Sequence, residues 1–372
     1  MNRAYLFQVF SYLHAHPELS GKEEKTGAYL SAELKHHGFQ VFEQVNGTWG
    51  VIGLLDSGVP GKTLALRADM DALPYQTEEG HQMAKHTCGH DGHSAMVMAA
   101  AASLSEKGIP SGKLMIVFQP AEETLSGAIS MINSGLLNQT DEMIGIHIRP
   151  KEELQLGQAV CALRHAASCQ YRVKIQGVSA HGARPQQGIN AIEAAISMIQ
   201  AIYALHADPR VSHSCKVTRF MGGGPAENLI PDQAEFTLDI RCQNNKTMEE
   251  LKGKIYRVIV NVSKAFQTRF QIDSTKGVPA AEYDDQLIHS AYEAASSVLG
   301  EQNVLLSLDT PGGEDFHFYH QLLPHCKTVY LGLGANAFPG LHHKDMSFNP
   351  EALPKGAAIL EELVHNRLNL HE

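Results

Sequence analysis

The chain reads as an α/β protein in which one domain is interrupted by a smaller inserted one, and three observations predict this. Apolar runs that read as buried strands, each ending in a polar group, alternate with helical stretches through the first 150 residues. From about Ala166 the order becomes strand, helix, strand, strand, helix, strand, which is the split βαβ arrangement of a ferredoxin-like domain. The length of 372 residues, 43% of them apolar, is enough to fill two cores. The expected boundaries are 1–165 and 279–372 for the outer domain and 166–278 for the insertion.

The elements follow in order. Lys22–His36 has helical periodicity, and Phe39–Phe42 and Val51–Leu55 read as strands. Leu64–Pro74 is an apolar strand that runs into Asp69 and Asp71, Leu114–Glu123 is another that runs into Glu122 and Glu123, and Met143–His147 ends in a histidine. The carboxyl ends of buried parallel strands are where open α/β sheets build their sites. One carboxylate after a strand is usually a cap or a solvated turn residue; three such ends are hard to explain that way. His93–Ser105 is small and apolar on all sides, as a helix buried against the sheet would be. In the insertion, Tyr171–Val178, Lys216–Phe220, Gln233–Cys242 and Arg269–Ser274 read as strands, and Ile189–Leu205 and Thr247–Phe266 as helices. The outer domain resumes with a helix over Leu287–Leu299, a strand over Thr328–Leu333 and a closing helix over Glu351–Leu368.

Between the first two strand ends lies His86-Thr87-Cys88-Gly89-His90-Asp91-Gly92-His93, a thiol and three imidazoles within eight residues. Zinc-type ions take thiolate and imidazole together, and Gly89 and Gly92 allow the tight turn that lets Cys88 and His90 face one centre. A histidine-rich capping loop and a zinc knuckle are the alternatives, and a knuckle needs a second ligand pair that is not nearby. The net charge of −10 and pI near 6.1 argue against a phosphate-binding surface, so nucleic acid is not an expected partner. No apolar stretch approaches the roughly twenty residues of a membrane span, and no signal-type core follows Met1–Tyr5. A cytoplasmic protein with no membrane partner is expected. Six cysteines at 88, 161, 169, 215, 242 and 326 lack paired spacing, the pattern of reduced thiols.

Together, Arg67–Pro74, His86–His93, Gln119–Glu123, Gly313–Phe316 and Leu341-His342 resemble the M20 metallopeptidase family. The likeness is greatest to its amidohydrolase branch of aminoacylases, hippurate hydrolases and auxin-conjugate hydrolases. It runs in order from His14–Leu19 to the C-terminal helix. The resemblance implies a zinc-peptidase-like α/β catalytic domain interrupted by a lid that forms a homodimer. It also implies a metal-dependent hydrolase that splits N-acyl-L-amino acids, of N-acetyl or N-benzoyl type, into a carboxylic acid and an amino acid. A dipeptidase or carboxypeptidase of the same family is the nearest alternative, and an inactive metal-binding relative is another.

By the same resemblance, Cys88, His90, Glu123, His147 and His342 match ligands of two divalent ions, with Cys88 as the bridge. Thiolate and imidazole favour zinc, while carboxylate and water positions also admit manganese or cobalt. Glu122 matches the general base, Asp71 an acid that orients a ligand, and His181 in Ser179–Pro185 the group that stabilises the oxyanion. Asn228 and Arg241 match positions that bind the substrate carboxylate, where a planar guanidinium suits two-point contact. Local alternatives stand beside these. Asp71 could be a turn residue before Leu73-Pro74, His181 a solvated loop residue and Arg241 half of a structural ion pair. Asp69, His86 and His93 read as supporting or capping groups, and His343 competes in register with His342. Glu314 and Asp315, after Pro311-Gly312-Gly313, read as residues of a pocket rim or a helix cap. Only thirteen residues separate Pro74 from Cys88, a short connection near the site.

Overall fold

The computed structural model describes residues 1–76 and 79–369. Two compact units result, one built from Met1–Arg164, Glu282–Leu308 and Glu314–Glu372, the other from His165–Ala281 and Asp309–Gly313.

The first unit is organised by an eight-stranded mixed sheet. Its centre is four parallel strands, in spatial order Lys113–Gln119, Thr63–Asp69, Glu142–Pro150 and Lys327–Ala337. Antiparallel strands flank them, Val51–Asp56 and Gln40–Phe42 on one side and Ala159–His165 on the other. Side chains alternate between the two faces. Leu64, Leu66, Ala68, Ile116 and Ile144 pack on one side with residues of the helices Arg3–Ala15, Glu24–His36, His90–Lys107, Asp285–Leu299 and Leu353–Leu368. Ala65, Met115, Val117 and Met143 pack on the other with residues of Gly127–Asn133 and His317–Leu322. Both faces are covered, which is why these strands read as unbroken apolar runs.

The buried helix begins at His90, three residues earlier than its apolar pattern indicated, so His90 is its first residue. Gly89 caps it with φ +85°, and a Cβ there would run into the Ile148 side chain. The third polar strand end also needs correction. The strand runs from Glu142 to Pro150, so His147 lies inside it. The extra length comes from its partner: Lys327–Ala337 pairs alongside to Pro150, whereas Thr63–Asp69 pairs only as far as Gly145. The short connection after Pro74 contains a hairpin, Leu73–Gln76 against Gln82–Lys85.

The second unit is an antiparallel four-stranded sheet in the order His213–Gly222, Gln233–Cys242, Ala167–Gln176, Arg269–Val278. Helices Ala191–Tyr203 and Asn245–Phe266 cover the face carrying Val173, Phe236, Leu238 and Ile240. Each helix is capped by an asparagine, Asn190 and Asn244, whose side chain accepts from the first-turn N–H groups. A two-stranded ribbon, Ala180–His181 against Leu229–Ile230, stands apart from this sheet.

Candidate metal centre

Strands Thr63–Asp69 and Lys113–Gln119 end level with each other, Asp69 opposite Gln119, and the turns that follow carry the acidic residues. Asp71 is buried and fully engaged on one oxygen: Oδ2 accepts from the Ser20 hydroxyl at 2.7 Å and from Glu123 N–H at 3.0 Å. Its carbonyl accepts from His90 Nδ1 at 2.9 Å. That bond fixes the His90 tautomer, leaving the Nε2 lone pair buried and without a hydrogen-bond partner. His147 is held the same way, Nδ1 donating to the Ile148 carbonyl at 2.5 Å, and its Nε2 stands 3.4 Å from Cys88 Sγ.

His342 Nε2 lies 3.2 Å from Cys88 Sγ and 3.4 Å from Glu123 Oε1. Glu123 Oε1, also buried and unbonded, is 3.9 Å from His90 Nε2. Two triads therefore share the thiol, Cys88 with His90 and His147, and Cys88 with Glu123 and His342, the donor atoms of each within 4.8 Å of one another. Glu122 falls in a further group with His90 and Glu123. Such crowding needs a counter-charge. Burial and then Glu123 push the Cys88 thiol well up. Burial, followed by Glu314, Asp315 and Glu123, raises Glu122, and burial also raises Glu123. Sulfur, nitrogen and oxygen donors with orphaned lone pairs fit a divalent ion, whose charge reverses each of these tendencies.

The turn that presents the two glutamates is itself held under strain. Ala121 has φ +56°, a left-handed conformation that costs a residue with a Cβ roughly 1–2 kcal/mol. Glu23, buried, secures it: Oε1 accepts from Ala121 N–H and Gly21 N–H, each at 2.9 Å. In the sequence Glu23 leaves no trace beyond its place in a polar helix start.

Arg67 opens the Arg67–Pro74 motif without an assigned role, and of the two readings of Glu314 the cap has support, since its Oε1 accepts at 3.1 Å from the N–H of Phe316, which precedes helix His317–Leu322. Glu314 and Asp315 line no rim. All three are buried in one network, with Arg67 donating to Asp69 Oδ2 at 2.5 Å, Asp315 Oδ1 at 2.7 Å, Gln119 Oε1 at 2.9 Å and Glu314 Oε1 at 3.1 Å. The Tyr330 hydroxyl donates to Glu314 Oε2 at 2.9 Å, and Gln119 Nε2 and Ala128 N–H donate to Asp315. Burial raises Asp315 to about 7 and Asp69 well above its usual range against the pull of Arg67. For Glu314, Arg67 and His317 outweigh burial and hold the carboxyl down. Asp69, Glu314 and Asp315 come close enough to hold a cation, and the guanidinium is that cation.

The remaining candidates are distributed as follows. His93 Nε2 accepts from Ile148 N–H at 3.0 Å, and its ring lies 4.1 Å from that of His147, so it supports this histidine from behind. His86 is buried but joins no donor group among the described residues. Of the adjacent pair, His342 reaches Cys88, whereas His343 Nδ1 accepts from Asp345 N–H. Within the second unit, His181 and Asn228 are neighbours: His181 pairs with Leu229 across the ribbon, and Gly182 N–H donates to the Asn228 carbonyl at 2.7 Å. Arg241 is paired with Asp239, Nε to Oδ1 at 3.0 Å, at the other end of strand Gln233–Cys242.

Residues 65–366 match the model of peptidase family M20/M25/M40. A hippurate hydrolase of Campylobacter jejuni is 31% identical over 94% of this chain and 93% of its own length. An N-acetyl-L-cysteine deacetylase of Bacillus subtilis is 29% identical over 99% of this chain and 89% of its own. Among solved structures, a dinuclear metal-binding peptidase of the M20 family from Bacillus subtilis superposes with a TM-score of 0.81 at 25% identity, covering 99% of both chains.

Proposed function

We propose, from the premise that the chain belongs to peptidase family M20/M25/M40, that it is a metal-dependent amidohydrolase of N-acyl-L-amino acids, releasing a carboxylic acid and a free amino acid. The observation that carries this reading is the pair of donor triads sharing Cys88, with Glu122 beside them. Cys88, His90, Glu123, His147 and His342 would hold two divalent ions, zinc by preference of thiolate and imidazole, with manganese or cobalt also admitted. The dinuclear relative and the two named deacylating relatives support the metal count and the substrate class. Held by these residues, a divalent ion would supply a water of pKa lowered to about 7 and polarisation of the scissile carbonyl. Glu122, beside the donor triads, would take the proton of the attacking water and pass it to the departing amine. Asp71 orients His90.

In the lid, His181 would stabilise the oxyanion, and Asn228 and Arg241 would bind the substrate carboxylate. About 26 Å of strand, at roughly 3.3 Å per residue, separates Gln233 beside the ribbon from Arg241. That is far longer than an N-acyl amino acid. The length supports a homodimer in which His181 and Asn228 of one subunit serve a substrate held by Arg241 of the other.

A hydrolysis panel of N-acetyl, N-benzoyl and dipeptide substrates, run on chelated protein and after adding each metal back, tests the reading. Chelation should abolish hydrolysis and metal restore it, fastest on N-acyl amino acids. Glu122→Gln should keep its metal and lose a hundredfold or more in turnover, while Cys88→Ala should lose metal. Full turnover in verified metal-free protein would reject the mechanism, and preference for dipeptides would move the enzyme to the peptidase side of the family.

A further inference from the structure

His342 differs from the other candidate ligands in two ways. Its side chain is 54% exposed, whereas that of His90 is 1% exposed. Its backbone is left-handed, φ +65°, in a residue with a Cβ. Neither packing nor backbone preference holds it beside Cys88, so something else must.

Three hydrogen bonds do so, and two of them depend on a side chain of the short hairpin. His342 N–H donates to the Thr87 carbonyl at 2.8 Å. The Tyr75 hydroxyl donates to the His342 carbonyl at 2.7 Å and, its proton thus committed, accepts from the Thr87 hydroxyl at 2.7 Å. Thr87 precedes Cys88 in the chain, so one phenol ties the backbone of His342 to the residue next to the shared thiol. Lys85 on the opposite hairpin strand adds a bond to the Lys344 carbonyl at 3.2 Å. Tyr75 touches no candidate ligand atom. It fixes the backbone from which one ligand projects.

We infer that Tyr75 is a positioning residue: its hydroxyl, with that of Thr87, latches the strained His342 segment against the Cys88 loop and so sets the affinity of the Cys88–Glu123–His342 triad for its ion. This rests on the reading of His342 as a ligand. Partners that orient a ligand typically account for 10–100-fold in metal affinity, and this latch acts on one triad of the two.

The test is a titration of chelated protein with zinc against a chromophoric chelator, comparing wild type, Tyr75→Phe, Thr87→Val, the double variant and His342→Ala. Wild type should bind two equivalents. Tyr75→Phe, which keeps the ring, should weaken one of them about tenfold or more and leave the other unchanged. Thr87→Val should weaken the same equivalent, and the double variant should lose little beyond the worse single one, because both hydroxyls belong to one latch. Two equivalents as tight as wild type in Tyr75→Phe, with one lost in His342→Ala, would overturn the latch and leave the ligand reading standing. Fully additive losses would show two separate hydroxyls and overturn it as well. Both equivalents intact in His342→Ala would remove the ligand reading and the latch with it. Should Tyr75→Phe fold poorly, Thr87→Val tests the same bond from its other partner.

Discussion

Two clusters of ionisable side chains lie in the first unit of this molecule and share the acidic strand end at Asp69 and Gln119, yet they are finished in opposite ways. Around Arg67, three buried carboxylates converge on one guanidinium, and Gln119, Tyr330 and the Ala128 N–H occupy the oxygens that remain, Asp69 Oδ1 excepted. Around Cys88, the His147 and His342 Nε2 atoms come within hydrogen-bond reach of the thiol, while His90 Nε2 and Glu123 Oε1 are buried with no hydrogen-bond partner. The first cluster supplies its own cation; the second, read as the proposed metal centre, would take one from solution. Both are rich in acids, so acid content alone does not separate scaffold from site. Closure of the hydrogen bonds does.

The sharpest way to break this contrast is to open the closed cluster. Arg67→Met removes the guanidinium and strands Asp69, Glu314 and Asp315 without it. Losing one partner of a buried charge network typically costs about 3–5 kcal/mol. Denaturant unfolding should show a loss of that size, with the two equivalents of metal still bound by whatever protein remains folded. Unchanged stability would mean that the carboxylates are already neutral and that Arg67 is not what holds them.

Closing the open cluster is the complementary test. Divalent metal that binds only folded protein should raise unfolding free energy by about 2.7 kcal/mol at a hundred times its dissociation constant. Thermal or denaturant unfolding of chelated protein with and without zinc measures it. The gain should shrink sharply in Cys88→Ala and persist in Arg67→Lys, since the cluster around residue 67 carries its own cation and takes none from solution. An equal gain in Cys88→Ala would place the stabilising ion elsewhere.

The open cluster was far easier to read in the sequence than the closed one. Cys88, His90 and the paired glutamates stand in short runs at strand ends, and their chemistry is local. The split βαβ order of the second unit was legible because period-two and helical patterns alternate cleanly between residues 167 and 278. Arg67 could not be placed, because its partner Asp315 lies 248 residues away and a guanidinium at the centre of a strand has no periodic signature. The Gly312-Gly313 break before Glu314 suggested a rim, but the turn instead feeds both carboxylates inward. Helix Arg3–Ala15 was missed although Leu6, Val9 and Leu13 form its buried stripe. Glu23 and Tyr75 act on remote backbone groups, and nothing in their own neighbourhoods records which N–H or carbonyl they will meet.

Glu23 gives the smallest and most discriminating test, because it is neither closed by a cation nor open to one. Its Oε1 accepts two N–H groups, while Oε2 is buried without a partner. Burial raises its carboxyl from the ordinary 4.5 to about 7, so below that pH the folded chain holds the proton. The sign follows from which state gives up that proton first. Below pH 4.5 folded and unfolded chains both hold it, and the contribution to stability is fully present. Between 4.5 and about 7 the unfolded chain has released the proton and the folded chain has not, so rising pH favours unfolding, on the order of 1 kcal/mol per pH unit. Above that window the loss is complete. Glu23→Gln offers the same carbonyl oxygen to Gly21 and Ala121 and an N–H in place of the proton, so it should keep the strained turn and lose the slope. Unfolding free energies at pH 5 and pH 7.5 should therefore differ less in the variant than in wild type. If both fall by the same amount, the Glu23 carboxyl is not raised in the folded protein and another group sets the slope.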